Sequence, residues 1–361
     1  MPERVRNFYA GPATLPYEVI KKASLGAVNF DDLGMSVMEV SHRAKEFDAV
    51  FKKAQADTLT IMGLSPDEYA VFFLGGGAST QFCALPYNFL SKEETADYVV
   101  TGGWAKKAVK EAKLFGSVHI AASSEDTNFS YVPTSFDLTP GAAYVHVTSN
   151  NTLVGTQMKN FPVTGGVPLV SDMSSDFLSR SLDFSRFSLI YAGAQKNIGP
   201  SGVTAVVIRK SWIDSAAENI PTMLSYRTHL EKDSLFNTPP CFPVYVVGLV
   251  LEWILENGGL DAVEAANRKK ADILYAAIDG SGGFYRGTVT DPASRSNMNV
   301  TFRLADEELE KRFVSEGASR GLIGLKGHRS VGGCRASIYN AMPLEGVEEL
   351  VDFMEDFRTS N

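Results

Sequence analysis

Cysteine is scarce in this chain: Cys83, Cys241 and Cys334 are its only three, odd in number and without metal-like or redox-like spacing. That count excludes a disulfide framework and a cysteine-based redox centre, and it makes a reducing cytoplasm the expected location. Long hydrophobic runs are also missing. The most apolar stretch, FPVYVVGLVLEWIL, is interrupted by Glu252 and too short to span a bilayer comfortably, and the opening MPERVRNFYAGPATLP has no apolar signal core. The apolar stretch reads instead as a buried helix, and no membrane partner is expected. Positive charge is in deficit, with 34 Lys and Arg against 42 Asp and Glu and a net charge of −8. General binding to nucleic acid or to an anionic surface is thereby excluded, so any anion site must be a local basic cluster. No repeat, low-complexity tract or metal site is evident.

What is present is an ordinary globular composition, 44% hydrophobic and 21% charged over 361 residues, enough apolar surface for a large core and too long for one domain. Between about residues 68 and 210 short apolar runs alternate with amphipathic stretches. The runs are EYAVFFLG, ADYVVTG, SVHIAAS, AAYVHVTSN, PLVSDMS, SLIYAGAQ and TAVVIRK. Helices fit at SHRAKEFDAVFKKAQADTLTIMG, STQFCALPYNFL and WAKKAVKEAKLFG. This alternation predicts an α/β fold whose large domain, residues 15–255, carries a mostly parallel sheet wrapped by helices. From 256 to 361 a long helical stretch, LDAVEAANRKKADILYAAIDG, precedes strand, strand, helix, strand and helix, which predicts a smaller α+β C-terminal domain. Residues 1–14 are expected to pack near the active site and the small domain. The stretch 221–243 holds Pro221, Pro239, Pro240 and Pro243 and little periodicity, so it reads as an irregular excursion from the core.

Three segments carry chemistry. GGGAST, at 75–80, joins a strand-like run to a helix-like one, where glycines let backbone N–H groups approach a phosphate. Alone it is equally a tight turn. In SDMSSDFLSR, Asp172 ends the run PLVSD, at the edge where open α/β sheets bind ligands. In YAGAQKNIGPSG, Lys196 follows a buried run and is flanked by small residues and turn formers, the setting of a desolvated amine. A lysine for a Schiff base and an acid facing a pyridinium nitrogen are the two groups pyridoxal 5'-phosphate requires. Lys196 is also the natural proton shuttle.

From NFYAGPATLP through SHRAKEF, GGGAST, VTGGWAKKA, SNNT, SDMSSDFLSR, AGAQKN and NTPP to GLKGHRSVGGCRASIYNAMP, the chain resembles the phosphoserine aminotransferase family, class V pyridoxal-phosphate enzymes of the aspartate-aminotransferase-like fold type I. The resemblance implies Lys196 as the Schiff-base lysine, Asp172 at the ring nitrogen and Trp104 stacked on the ring. It implies Ala78, Ser79 and Gln195 at the cofactor phosphate and Thr152 near the ring hydroxyl. It also implies a homodimer with composite sites, Asn237 and Thr238 reaching the phosphate from the neighbouring subunit. Without the resemblance, Trp104 reads as a packing aromatic and Thr152 and Gln195 as turn residues.

Among five histidines, His42-Arg43 and His328-Arg329 form two cationic dipeptides, with Arg335 shortly after the second. Guanidinium forks and imidazole donors suit a phosphate. The resemblance assigns these four residues to the substrate phosphate, from one subunit or from two, and Arg335 to the α-carboxylate. It implies ping-pong transfer of an amino group from glutamate to 3-phosphohydroxypyruvate, giving phosphoserine and 2-oxoglutarate in serine biosynthesis. Acceptance of 4-phosphohydroxythreonine, from pyridoxine biosynthesis, stays open. Rival readings are a cysteine desulfurase or an alanine-type aminotransferase of class V, and a cofactor-free binding protein on the same fold. Cys83 in an apolar helix pattern and Cys334 beside Arg335 do not suit a mobile nucleophile.

Overall fold

The computed structural model describes residues 4–361. A short strand β1 (Arg6–Asn7) and two helices, α1 (Tyr17–Val28) and α2 (Lys45–Met62), come first. α2 begins four residues later than the helical pattern opening at Ser41, so His42 and Arg43 lie in the turn before it, and it stops at Gly63, whose φ of 65° suits only a residue free of Cβ strain.

All seven apolar runs then form one sheet. Its strands are β2 (Tyr69–Leu74), β3 (Thr95–Val100), β4 (Ser117–Ser123), β5 (Val145–Thr148), β6 (Leu169–Asp172), β7 (Leu189–Gly193) and β8 (Thr204–Arg209). In space they run β2-β8-β7-β6-β5-β3-β4. Every pair is parallel except those of β8, which runs antiparallel to both β2 and β7. The reason is the short β7–β8 connection, which holds no helix and cannot make the crossover a parallel strand needs.

Helices α3 (Gly77–Phe89) and α4 (Gly103–Ala112) cover one face of this sheet. Alternation sends Ala70, Phe72, Tyr98, Val206 and Ile208 to that side, and Val71, Phe73, Val99 and Val207 to the other, against α1 and α2. After β8 come α5 (Lys210–Ile213), α6 (Tyr226–Glu231) and α7 (Cys241–Glu256). α7 packs on α1 and α2 as the expected buried helix. The reading of 221–243 as an irregular excursion needs correction. α6 lies inside it, and Tyr226 is fully buried with its hydroxyl donating to Gln81 Oε1 at 2.7 Å. Residues 221–223, 231–233 and 236–238 remain exposed. Among the described residues no single helix is long and apolar enough to cross a membrane.

A separate core forms downstream. It holds α8 (Gly259–Asp279), the antiparallel strands β9 (Arg286–Gly287) and β10 (Asn299–Arg303), α9 (Glu307–Ser319), β11 (Leu322–Ile323), β12 (Cys334–Ser337) and α10 (Leu344–Thr359). Phe8 joins this cluster, and β1 pairs parallel with β11, a pairing not readable in so short a strand.

Candidate active site

The parallel strands all end on one edge, and the chemistry collects there. Asp172 is the last residue of β6, and Lys196 lies three residues beyond β7. Thr152 follows β5, the glycine turn into α3 follows β2, and Trp104 opens α4 after β3. The sheet therefore brings five separated segments to its carboxyl edge, as open α/β sheets do.

Lys196 Nζ donates to Thr152 Oγ1 at 2.8 Å and lies 5.8 Å from the centroid of Trp104. Burial pushes its amine down to about 8, with Asp172 opposing and Arg335 adding to the shift. Asp172 is buried and makes no ion pair among the described residues. Its Oδ1 accepts from the Ser174 N–H at 2.9 Å. Burial pushes this carboxyl up, against the Ser174 hydrogen bonds and the Lys196 charge. A buried acid without an ion pair is arranged for a cation that a ligand brings.

Arg335, on β12, donates from Nη1 to the Thr152 carbonyl at 3.0 Å. Its Nε and the Trp104 Nε1 are buried without a partner. Such orphaned donors are costly unless a ligand satisfies them. At the other side of the pocket, no side chain caps α3, and Gly76 sits at φ 90° with the Thr80 side chain folded against it. Ala78 and Ser79 thus stand in a first helical turn whose N–H groups are free for an anion. Gln195 adjoins Lys196, its carbonyl accepting from the Ala13 N–H at 2.9 Å, which sets the N-terminal segment on the site. His328 Nδ1 bonds Ser330 Oγ at 2.7 Å, and burial followed by the Arg335, Arg329 and Lys107 charges lowers the imidazole. An uncapped helix terminus, a lysine, an unpaired acid and orphaned indole and guanidinium donors together fit pyridoxal phosphate.

Four predicted residues do not join this cluster within one chain. His42 and Arg43 bond none of it, and the buried His42 Nε2 lacks a partner. Asn237 and Thr238 are exposed, although Asn237 lines a cavity of about 220 Å³ with Gly75, Gly76 and Thr80.

Sequence reasoning does not reach the bracing behind Lys196. The Asn340 N–H donates to Asn197 Oδ1 at 3.0 Å, and Asn267 Nδ2 donates to Asn340 Oδ1 at 2.8 Å. Lys270, buried on α8, donates to the carbonyls of Ile338, Tyr339 and Met342 at 3.1, 2.7 and 3.0 Å. No spacing signals these contacts; only Asn197, next to Lys196, could have drawn notice.

The chain belongs to the class-V aminotransferases: the family model described as Aminotransferase class-V matches residues 5–350. Within that class it is similar to phosphoserine aminotransferases. The one from Niallia circulans is 56% identical over 362 residues, covering 100% of this chain and 99% of the relative. The solved phosphoserine aminotransferase from Bacillus circulans subsp. alkalophilus superposes with a TM-score of 0.97 at 55% identity, covering 99% of each chain. The pyridoxal-phosphate-bound one from Trichomonas vaginalis gives 0.91 at 37% identity, covering 98% of this chain and 100% of that one. The expected aminotransferase fold is therefore present, and the rival reading as a cofactor-free binding protein has no support.

Proposed function

We propose that this chain is a phosphoserine aminotransferase that uses pyridoxal phosphate to move the amino group of glutamate to 3-phosphohydroxypyruvate, giving O-phospho-L-serine and 2-oxoglutarate in two half-reactions. The observation that carries the reading is that Lys196 and Asp172 share one sheet edge while Arg335, from β12, is tied to Lys196 through Thr152. Bound pyridoxal phosphate supplies an aldehyde that condenses with amines and a ring that accepts the electron pair left when an α-proton departs. Lys196 Nζ, its amine already lowered, takes that proton and returns it on the way to the other product. Asp172 holds a proton on the ring nitrogen, Trp104 supports the ring face, and Thr152 meets the ring hydroxyl. Ala78, Ser79 and Gln195 hold the cofactor phosphate.

Arg335 grips the substrate α-carboxylate through the guanidinium edge that Thr152 leaves free. His328 and Arg329 meet the phosphate, joined by His42 and Arg43 of a second copy. Asn237 and Thr238 likewise serve the second copy's cofactor phosphate. Exposed apolar residues support a homodimer with composite sites: Leu25 and Val28 on α1 are 70% and 79% exposed, Met38 shortly before His42 is 59% exposed, and Phe236 next to Asn237 is 42% exposed. The division into a large domain, 15–255, a small domain, 256–361, and a bridging segment, 1–14, is supported by the separate downstream core that includes Phe8. Action in the cytoplasm agrees with the three free thiols. Burial raises Cys83 and Cys334, which argues against a desulfurase.

Activity with phosphoserine against unphosphorylated serine, each with 2-oxoglutarate, tests the reading. Strong preference for phosphoserine is expected, and equal turnover of the two would overturn it.

A further inference from the structure

Lys106 and Lys107 are adjacent on α4 and indistinguishable in sequence, but the fold treats them differently. Lys106 Nζ is bonded to Glu125 Oε1 at 2.5 Å. Lys107, turned about 100° around the helix from it, makes no ion pair among the described residues. Its Nζ instead lies 4.1 Å from the centroid of the Trp104 ring, whose centroid is also 5.8 Å from Lys196 Nζ. The spacing of three residues between Trp104 and Lys107 stacks them on one helix face. Lys107 and the Schiff-base lysine thus share contact with one indole.

The Lys107 charge acts on His328 alongside those of Arg335 and Arg329, and Asp172 is committed to the ring nitrogen in the reading above. In a protein of net charge −8 this local excess of unpaired positive charge has one use, to receive an anion. Arg335 is tied to Thr152 and directed at the end shared by all amino acids. The Lys107 charge reaches His328, assigned above to the end where the substrates differ.

We infer that Lys107 is a further specificity-determining residue, its ammonium held on the Trp104 ring and positioned to bind the distal phosphate of the substrate together with His328 and Arg329. The proximity of these groups agrees with the lowered His328 imidazole, for which burial is the first cause and the Arg335, Arg329 and Lys107 charges follow. Lys107 is exposed and its ammonium rests on the indole without an ion pair among the described residues, so it can turn to a dianion without breaking a salt bridge. The inference rests on the proposed phosphoserine activity.

The test compares holoenzymes of wild type, Lys107→Met, Lys107→Arg and, as control, Lys106→Met. In the half-reactions, Lys107→Met is expected to raise KM for phosphoserine roughly three- to tenfold. KM for glutamate and both kcat values should stay within about twofold, since a single charge far from the reacting carbon alters binding more than chemistry. Lys107→Arg restores the cation and the KM, and Lys106→Met matches wild type. Equilibrium dialysis with labelled inorganic phosphate reads the same contact without turnover, and Lys107→Met should weaken that binding. Wild type that ignores phosphoserine refutes the proposed activity, and the phosphate measurement then decides on Lys107 alone. An unchanged phosphate affinity in Lys107→Met, or an equal rise in KM for phosphoserine and glutamate, would overturn the inference.

Discussion

Arg335 and Thr152, 183 residues apart, are joined by a 3.0 Å hydrogen bond from the guanidinium Nη1 to the threonine carbonyl. The same threonine accepts from Lys196 Nζ through its hydroxyl at 2.8 Å. The residue proposed to hold the substrate carboxylate and the one proposed to move its proton therefore share a single mount. A shift of that loop disturbs both, which makes orientation of the α-carbon and reach of the amine one structural property.

That arrangement fixes the pH behaviour of Lys196. Cofactor-free protein should recombine with pyridoxal phosphate at a rate that rises with pH and levels off above about 8, the value to which burial lowers the amine. Below that pH the amine is protonated and cannot attack; above it the neutral form is already complete. The Thr152 hydroxyl accepts from the charged form and favours it, so Thr152→Val should move the plateau to lower pH. Stopped-flow absorbance against pH checks both, and a rate still climbing steadily to pH 10 would mark Lys196 as an ordinary exposed lysine.

Asp172 separates function from stability. Asp172→Asn should slow the half-reaction with phosphoserine by roughly a hundredfold or more, because a neutral amide cannot hold the ring nitrogen protonated. In the cofactor-free protein the same change removes a buried carboxyl whose ionisation burial already disfavours, so Tm should hold or rise. Near-normal half-reaction rates would show that the nitrogen has another partner.

Composite sites predict complementation. An inactive Lys196→Ala protein mixed with a protein altered at both Asn237 and Thr238 should regain part of the activity once subunits exchange. In a mixed dimer one site combines the intact parts of both chains. Mixed dimers that form yet remain inactive would assign Asn237 and Thr238 to their own subunit's site.

Much of this was legible because the apolar runs are buried on both faces of the sheet and so read as uninterrupted strands. The direction of β8 was not stated by its own residues; it lay in the length of the segment carrying Lys196, too short for a crossover helix. Tyr226 was hidden by the prolines around it, and its burial is decided by Gln81 and Asn88 on α3. Lys270 follows Lys269 in a charged stretch, and which of the two enters the core depends on helix phase. Candidate catalytic residues could be named where chemistry restricts the residue type. Bracing residues could not, because backbone carbonyls accept from almost anything.

Lys270 gives that bracing a measurable size. Lys270→Met fills the same space but leaves the carbonyls of Ile338, Tyr339 and Met342 without their shared donor. A loss of about 1–3 kcal/mol is expected, seen as a lower denaturation midpoint in urea at unchanged slope. An unaltered midpoint would mean that water replaces the ammonium at no cost.

The two arginines of the pocket should differ in which substrate end they read. Arg335→Leu removes the group directed at the α-carboxylate, which phosphoserine and glutamate both have, so both half-reactions should weaken about equally. Arg329→Leu removes a cation from the distal end, where phosphate carries up to two charges and the glutamate γ-carboxylate one. A charge-assisted contact of this kind is worth about 1.5–3 kcal/mol, roughly tenfold to a hundredfold in binding. Arg329 is exposed, so solvent screening puts its loss at the lower end of that range. The doubly charged ligand should still suffer more, and the ratio of kcat/KM for phosphoserine to that for glutamate should fall in Arg329→Leu while holding in Arg335→Leu. If Arg329→Leu leaves that ratio at its wild-type value and Arg335→Leu shifts it, the two ends are reversed, and the Thr152 mount then orients the phosphate instead of the α-carbon.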